Sequence, residues 1–273
     1  MVKITILAAS LILLISFGSC QADEPTATKN DQSIMITDGM GREVEVPLNP
    51  DRIVCVNAAA AEVIYVLDSP DRIVAVTSAC TMPPTMLEKE VLGRSALSLE
   101  AEPIIALKPD LVIEGVPPLK EDVRKQLEEA GIPVLQYWAL HADKILPMID
   151  DFGVILGKEE RSQELHDFIE GYYDLSKDRM KDLQPESKPG VYYMIMNFVI
   201  SQPGFDEIKA VREGKIYIID TGIVTGPRQI VGFLHFAKWF HPQLFEDIDP
   251  EAVHKEMLSR FYNVNEEGCW AYP

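Results

Sequence analysis

The side chains that could perform covalent or metal chemistry are scattered along this sequence. The histidines are His141, His166, His235, His241 and His254. No two of them stand at the spacing of metal ligands with a carboxylate in step. The sequence also lacks the GxSxG, Walker and GxGxxG patterns of hydrolases and nucleotide-binding proteins. We therefore predict that the protein is not an enzyme and that it uses no metal or cofactor.

The cysteines allow one kind of covalent bond. They are Cys20, Cys55, Cys80 and Cys269. The last three are irregularly spaced and form no CxxC motif, which argues against a zinc site or a redox motif. Cys55 lies in an apolar run and is interpreted as a small hydrophobic residue. In an oxidising compartment two of the three could form a disulfide, but the sequence does not choose the pair.

Several polar residues suit the noncovalent capture of a small molecule. Arg228, in TGPRQ at a predicted helix start, is the best-placed cation for a carboxylate, catecholate or phosphate group. The alternative is a salt bridge to one of the 43 acidic residues. Ser201, Gln202 and Thr221 could add hydrogen bonds to the same ligand.

Three residues of the N-terminal half are further candidates. Asn57 precedes a predicted helix, where free backbone N–H groups favour anionic ligand groups, although it could be only a helix cap. Tyr137 and Trp138 could stack on a planar ligand. Alternatively, these two aromatic side chains pack between lobes.

Alternating strands and helices must position these residues. A β-hairpin is predicted around Asp38-Gly39. The predicted strands that follow it are Ile53–Val56, Ile73–Val76, Leu111–Glu114 and Val134–Tyr137, with helices between them. This order predicts a parallel sheet covered on both faces, which binds ligands beyond the carboxyl ends of its strands. Those ends are Asn57, the 77–84 loop and the 115–118 loop.

Two long helices follow, predicted over 142–156 and 159–183. At about 1.5 Å per residue the second is roughly 37 Å long, enough to connect two lobes. The second lobe is predicted to contain a helix over 205–212, a strand over 215–220 and helices over 229–240 and 251–261. The fold class is α/β, with two lobes of mainly parallel sheet joined by one long helix.

The N-terminus and the charge indicate where the protein works. Residues 1–20 read as a secretory signal, and Phe17-Gly18-Ser19-Cys20 resembles the lipobox of lipoproteins, so Cys20 is the predicted lipidation site. An ordinary signal peptide is the alternative. Residues 21–33 read as a flexible tether. The net charge of −18 argues against nucleic acid as a partner. We predict a protein anchored by lipid at the outer face of the cell membrane, or in the periplasm.

Several segments resemble one family of transport proteins. They are DGMGREVEVPLNPDRIV, AEVIYVL with DRIVAV, IIALKPDLVI, VREGKIYIID, GPRQIVGFLHFAKWFHPQLF and FYNVNEEG. In order, they resemble the periplasmic substrate-binding proteins of ABC importers for iron-siderophore complexes and corrinoids. The resemblance implies a solute held between lobes at 34–143 and 184–273, with a helical connector at 144–183. It also implies delivery of an iron chelate or corrinoid to an ABC permease with its ATPase.

The resemblance further implies a docking residue and a missing segment. Glu102 matches the glutamate of the N-terminal lobe that docks on the permease, and Glu100 could substitute. Alternatively, both residues only complement the dipole of a helix N-terminus. VYYMIMN runs directly into FVISQPG, where the family has roughly 60 to 70 more residues, the scale of half a domain. The alternative function is therefore a non-transporting or decayed binding module.

Overall fold

The computed structural model describes residues 32–138, 142–183, 207, 209–213, 215–264 and 270–272. Among these residues, no helix combines the length and the apolar character needed to cross a bilayer.

The first element pair is the predicted hairpin. Strand β1 (Ser33–Thr37) pairs with β2 (Glu43–Pro47) in antiparallel register. The Asp38 carboxylate fixes the turn: its Oδ1 accepts from the backbone N–H groups of Met40 and Arg42, both at 3.0 Å. Its Oδ2 accepts from the Arg42 guanidinium at 2.7 Å. The hairpin prediction is confirmed.

A five-stranded parallel sheet forms the centre of the N-terminal half, in the order β5-β4-β3-β6-β7. Its strands are β3 (Ile53–Cys55), β4 (Ile73–Thr77), β5 (Glu90–Gly93), β6 (Leu111–Glu114) and β7 (Val134–Gln136). The predicted α/β class, with a parallel sheet covered by helices, is confirmed. Strand β5 was not predicted, because this short edge strand is largely exposed and carries no continuous apolar run.

Both faces of the sheet are buried, which explains the unbroken apolar strands. Successive residues point to opposite faces. Thus Cys55 and Ile113 belong to one apolar cluster and Val54 and Val112 to the other. The covering helices are α1 (Ala58–Val66), α2 (Ala101–Ala106) and α3 (Glu121–Glu129), with 3₁₀ turns at Pro70–Arg72, Pro84–Glu88 and Ala96–Ser98.

The two long helices are present. Helix α4 (Ala142–Leu156) has its predicted bounds, and α5 (Glu159–Met180) ends three residues earlier than predicted. Gly157, at φ +64°, supplies the left-handed residue between them. The helices approach closely, since a Cβ on Gly153 would lie 2.0 Å from Oγ of Ser162.

The C-terminal half is mainly helical among the described residues. Its elements are α6 (Lys209–Arg212), β8 (Ile218–Ile219), a 3₁₀ turn at Thr221–Ile223, α7 (Gln229–Phe240), a 3₁₀ turn at Pro242–Leu244, α8 (Pro250–Met257), a π-helical turn at Leu258–Tyr262 and β9 (Ala271–Tyr272). Helix α7 has its predicted bounds. The strand predicted over 215–220 is only two residues long and pairs antiparallel with β9. The apolar stretch 191–200 lies outside the described residues.

The C-terminal helices pack directly on the N-terminal half. One continuous apolar cluster contains Val63 and Ile64 of α1, Leu165 of α5, and Leu234 and Phe261 of the C-terminal half. In the part of the chain described, α1 and α5 share their apolar faces with the C-terminal helices, so the two halves are in direct contact.

Candidate functional site

The carboxyl ends of four parallel strands bring the predicted N-terminal site residues to one edge of the sheet. Asn57 follows β3, the 77–84 loop follows β4, the 115–118 loop follows β6, and Trp138 follows β7. In an open α/β sheet this edge is where ligands bind. We call this set of segments the carboxyl edge.

Asn57 is fully engaged as a structural residue at this edge. Its Oδ1 accepts from the backbone N–H groups of Ala59 at 3.1 Å and Ala60 at 3.2 Å, which caps α1. Its Nδ2 donates to the backbone oxygens of Glu114 at 3.3 Å and Tyr137 at 3.1 Å. Asn57 therefore ties the ends of β6 and β7 to the start of α1. This geometry favours the cap alternative over a ligand contact.

Glu114 holds the 115–118 loop in place. Its Oε2 accepts from the backbone N–H of Leu119 at 2.7 Å, and its Oε1 lies 2.8 Å from Nε of Arg124. Burial raises the pKa of this carboxyl, while the Leu119 hydrogen bond and the Arg124 charge oppose that rise. Glu114 thus shapes the edge without being exposed to a ligand.

The loop after β4 presents small side chains. A turn closed by Cys80 N–H donating to the Thr77 oxygen at 3.0 Å leaves Ser78, Ala79 and Thr81 exposed. Cys80 points inward and is fully buried. The loop therefore offers hydroxyl groups to the edge and buries its thiol.

The two predicted aromatic residues have different environments. Tyr137 is 3% exposed, donates its hydroxyl to Asp151 at 2.7 Å, and packs edge-on against Phe152. This geometry favours packing between the sheet and α4 over a ligand contact, because both the ring and the hydroxyl of Tyr137 are engaged. Trp138 is 38% exposed at the carboxyl edge.

The exposed part of the edge is apolar and aromatic. Trp138 and Val116, which is 46% exposed, stand at the ends of neighbouring strands β7 and β6. Ser78 and Thr81 extend the surface with hydroxyl groups. This combination suits a ligand with a planar or apolar face and a few hydrogen-bonding groups.

Arg228 is not at an open surface. It is 3% exposed, and its Nε donates to Oε1 of Glu62 at 2.7 Å. Its guanidinium also lies 5.5 Å from the centre of the Trp270 ring. This geometry favours the salt-bridge alternative for Arg228 over a ligand contact, because a charged group out of water requires a charged partner.

The ion pair belongs to a larger polar cluster between α1 and the C-terminal half. The Tyr262 hydroxyl donates to the same Glu62 oxygen. Desolvation raises the pKa of Glu62, and the Arg228 charge opposes that rise. His254, next to Trp270, has its pKa lowered to about 4 by burial and then by Arg228. We call Glu62, Arg228, Tyr262, His254 and Trp270 the buried polar cluster.

Sequence reasoning missed Glu62 and Tyr262. A signal was available: Glu62 is the single charge in the apolar helix AAAAEVIYV. A carboxylate in such a helix must find a cation or remain protonated. Its partner, 166 residues away in the sequence, could not be identified from local pattern.

The other predicted residues have separate places. Thr221 is exposed at the start of its 3₁₀ turn. Glu102 is exposed in the first turn of α2, and Glu100, just before it, is bonded to Lys120 at 2.9 Å. Ser201, Gln202 and Cys20 lie outside the described residues.

Two shallow surface grooves are lined by none of the residues of the carboxyl edge. One, of about 520 Å³, lies along α5 beside Arg260. The other, of about 410 Å³, lies between β2 and β7. Within the described ranges, no group of three or more His, Cys, Asp or Glu side chains is arranged to hold a metal ion.

Comparison with curated proteins gives a lipoprotein relative. The chain is 24% identical over 308 residues to the uncharacterized ABC transporter substrate-binding lipoprotein YvrC of Bacillus subtilis, covering 88% of this chain and 98% of the relative. The alignment is longer than the 273 residues of this chain, so the relative contains residues that this chain lacks. That fits a shortened chain.

Solved structures share the fold. The molybdate-binding protein MolA of Haemophilus influenzae superposes with a TM-score of 0.72 at 18% identity, covering 86% of this chain and 99% of MolA. The TroA-like protein FepB of Veillonella parvula superposes with a TM-score of 0.69 at 19% identity, covering 88% of this chain and 99% of FepB. CeuE of Helicobacter pylori, in complex with Ni-His, superposes with a TM-score of 0.67 at 17% identity, covering 86% of this chain and 97% of CeuE.

A model of one protein family also matches this chain. The family is described as periplasmic binding protein, and the match covers residues 53–194. These residues include the whole five-stranded sheet, the carboxyl edge and the two long helices. The family resemblance predicted from the sequence is therefore confirmed, and the chain belongs to the periplasmic binding protein family.

Proposed function

We propose that the protein is the substrate-binding component of an ABC importer, held outside the membrane by a lipid on Cys20. It captures a solute at the carboxyl edge and delivers it to a permease with its ATPase. Membership in the family and the lipoprotein relative support this role. The observation that most strongly supports this role is the exposure of Trp138 and Val116 at the edge where parallel sheets bind ligands.

The chemistry of the edge favours an iron chelate or a corrinoid. Similar proteins are described as binding molybdate, heme or Ni-His. A small oxyanion needs several hydrogen-bond donors and no aromatic surface. Trp138 and Val116 instead suit the large planar or apolar faces of a chelate or corrinoid. Thr221, Ser201 and Gln202 remain candidates for polar contacts from the C-terminal half.

We propose the domain organisation that the sequence pattern and the family resemblance predict. It has a signal at 1–20, a tether at 21–33, an N-terminal lobe at 34–143, a connector at 144–183 and a shortened C-terminal lobe at 184–273. Glu102 is the better docking candidate for the permease. Both side chains are exposed, but Glu100 already forms an ion pair with Lys120. A rim charge of this kind would mainly set the encounter rate.

A second candidate function is a binding module that does not take part in transport. The residues that the relative has and this chain lacks favour it. So does the burial of Arg228, the cation expected to grip an anionic ligand. In this case the protein would bind a ligand at the carboxyl edge without stimulating a permease ATPase.

Ligand titration of the purified chain tests the proposal. We expect ferric siderophores or cobalamin to change the Trp138 fluorescence saturably, with heme and molybdate as comparison ligands. In a calorimetric titration, which does not need Trp138 as the reporter, Trp138→Ala should weaken binding at least tenfold. Val154→Ala should not, because this 37% exposed residue lies at the end of α4 that contacts the segment before β3, at the opposite end of the strands. Equal binding by both variants, or no saturable response, would contradict the proposal.

Stimulation of the ATPase of a reconstituted permease separates the two candidates. A transporting protein should stimulate it, and Glu102→Ala should reduce that stimulation while leaving solute binding unchanged. Binding without any stimulation would favour the second candidate.

A further inference from the structure

Two buried, free thiols lie near one another at the carboxyl edge. Cys55 is the last residue of β3, and Cys80 lies in the turn that follows β4. Both are fully buried, and both belong to the same apolar cluster on one face of the sheet. The function proposed above uses neither of them.

The backbone brings the two residues together in a simple way. Cys55 pairs with Val76 of β4 in the parallel register. Four residues later, the turn closed by Cys80 N–H and the Thr77 oxygen folds the chain back over the end of β3. As a result, Sγ of Cys80 lies 3.8 Å from the backbone oxygen of Cys55. Four covalent bonds connect that oxygen to the Cys55 sulfur.

The electrostatic environment agrees with this proximity. Burial raises the pKa of the Cys55 thiol, and the neighbouring Cys80 raises it further. Burial also raises the pKa of Cys80. Inside the folded protein both groups are therefore protonated and poorly reactive.

We propose that Cys55 and Cys80 form an intramolecular disulfide when the chain folds in an oxidising compartment. The location outside the cytoplasm rests on the proposed function. The bond would fasten the 77–84 loop to the end of β3 and so fix one wall of the carboxyl edge.

The reaction balances as a thiol-disulfide exchange. The thiolate of one cysteine attacks the disulfide of an oxidant such as glutathione disulfide, releasing one thiol and leaving a mixed disulfide. The second cysteine then displaces the second thiol and closes the Cys55–Cys80 bond. Two protons and two electrons leave the protein with the reduced oxidant. Because the folded thiols are buried, the exchange takes place before the loop closes over β3.

Peptide mapping after oxidative refolding tests the assignment. The purified chain is unfolded, refolded in a glutathione redox buffer, alkylated under denaturing conditions and analysed by mass spectrometry. We expect a peptide that links Cys55 to Cys80, with Cys269 alkylated. Alkylation of both Cys55 and Cys80, or a bond from either of them to another cysteine, would overturn the proposal.

Thermal unfolding gives a second readout. The oxidised protein should unfold about 5–10 °C above the reduced protein, the shift expected for a bond that closes a loop of this size. Cys80→Ala should abolish the difference, and Cys269→Ser should retain it. The same difference in both variants would contradict the assignment.

The outcome is separable from that of the proposed function. Ligand titration of the reduced and oxidised forms reports binding, and the peptide map reports only the disulfide. A linked peptide without ligand binding would reject the proposed function alone. Binding without the linked peptide would reject the disulfide alone.

Discussion

At the residue scale, the strongest constraint is the charge pair between Glu62 and Arg228. Both side chains are almost fully buried, at 6% and 3% exposure. Tyr262 donates to the same carboxylate oxygen that accepts from Arg228. Two charges out of water are tolerated only while both are present, so removing one is far more costly than removing an exposed partner.

Glu62→Gln should therefore destabilise the protein strongly. It leaves the Arg228 charge buried beside a neutral group, and we expect a loss of about 3–5 kcal/mol in the free energy of unfolding, measured with urea. The exposed pair of Arg179 and Asp247 provides the control. Asp247→Asn should leave the urea midpoint nearly unchanged, and equal losses in the two variants would contradict the role of burial.

Arg228→Met should show a different pH dependence. Burial already raises the pKa of Glu62, and removal of the opposing cation would raise it further. In the folded variant the Glu62 carboxyl would then keep its proton at pH values where the same carboxyl in the unfolded chain has already lost it. Stability lost through this substitution should consequently be small in acid and grow as the pH rises. A loss that does not vary between pH 4 and pH 8 would contradict this reasoning.

His254 gives a prediction of the opposite sign. Burial is the main cause that lowers the pKa of His254 to about 4, whereas the pKa of a histidine in an unfolded chain is about 6.5. Between these values the unfolded state binds the additional proton, so acidification through this range destabilises the fold. As the pH is lowered from 7 to 4, the midpoint temperature of thermal unfolding should fall less steeply for His254→Phe than for the wild type. Parallel curves would exclude His254 as a contributor.

At the scale of elements, helices with clear local sequence signals could be predicted, whereas strand pairs between distant segments could not. The bounds of α4 and α7 were predictable because both helices are amphipathic or apolar segments with clear ends. Asn57 was recognisable as a cap because its amide precedes an apolar helix. Strand β9 and its pairing with β8 were missed, since each contributes only two residues.

The candidate site was predictable in part for the same reason. The carboxyl edge follows from strand order alone, so the positions of Asn57 and Trp138 could be anticipated. The burial of Tyr137 and Arg228 could not, because it depends on Asp151 and Glu62, whose positions are set by tertiary packing.

The contact between α4 and α5 provides a prediction at this scale. Gly153→Ala would place a Cβ 2.0 Å from Oγ and 2.6 Å from Cβ of Ser162. We expect a loss of about 1–3 kcal/mol from this overpacking. The matched control is Gly171→Ala, at an exposed position of α5 with no atom within 4 Å of the new Cβ. That change should stabilise the helix by roughly 0.5–1 kcal/mol, and equal signs in the two variants would contradict the predicted close approach.

At the scale of the whole molecule, one apolar cluster joins the N-terminal sheet to the C-terminal helices. It runs from the hairpin and β3 through α1 and α5 to α7 and α8. The buried polar cluster lies within the same contact. This shared core makes the C-terminal helices part of one cooperative unit with the N-terminal sheet.

Unfolding should consequently occur in one transition. Tryptophan fluorescence reports on Trp239 and Trp270 in the C-terminal half and on Trp138 at the sheet, and circular dichroism reports on all helices. Coincident midpoints by both probes are the expected result. Separate transitions would contradict a core shared by the two halves.

The central claim is that the carboxyl edge binds a solute, and ligand-linked stabilisation measures this most directly. The unfolding free energy should rise with the concentration of a ferric chelate or corrinoid, reaching about 2.7 kcal/mol at one hundred times the dissociation constant. Under the same conditions Trp138→Ala should lose this gain, and Val154→Ala, at the opposite end of the strands, should keep it. Solute binding at the carboxyl edge is contradicted if no chelate or corrinoid raises the unfolding free energy of the wild-type protein, or if both variants gain as much as the wild type.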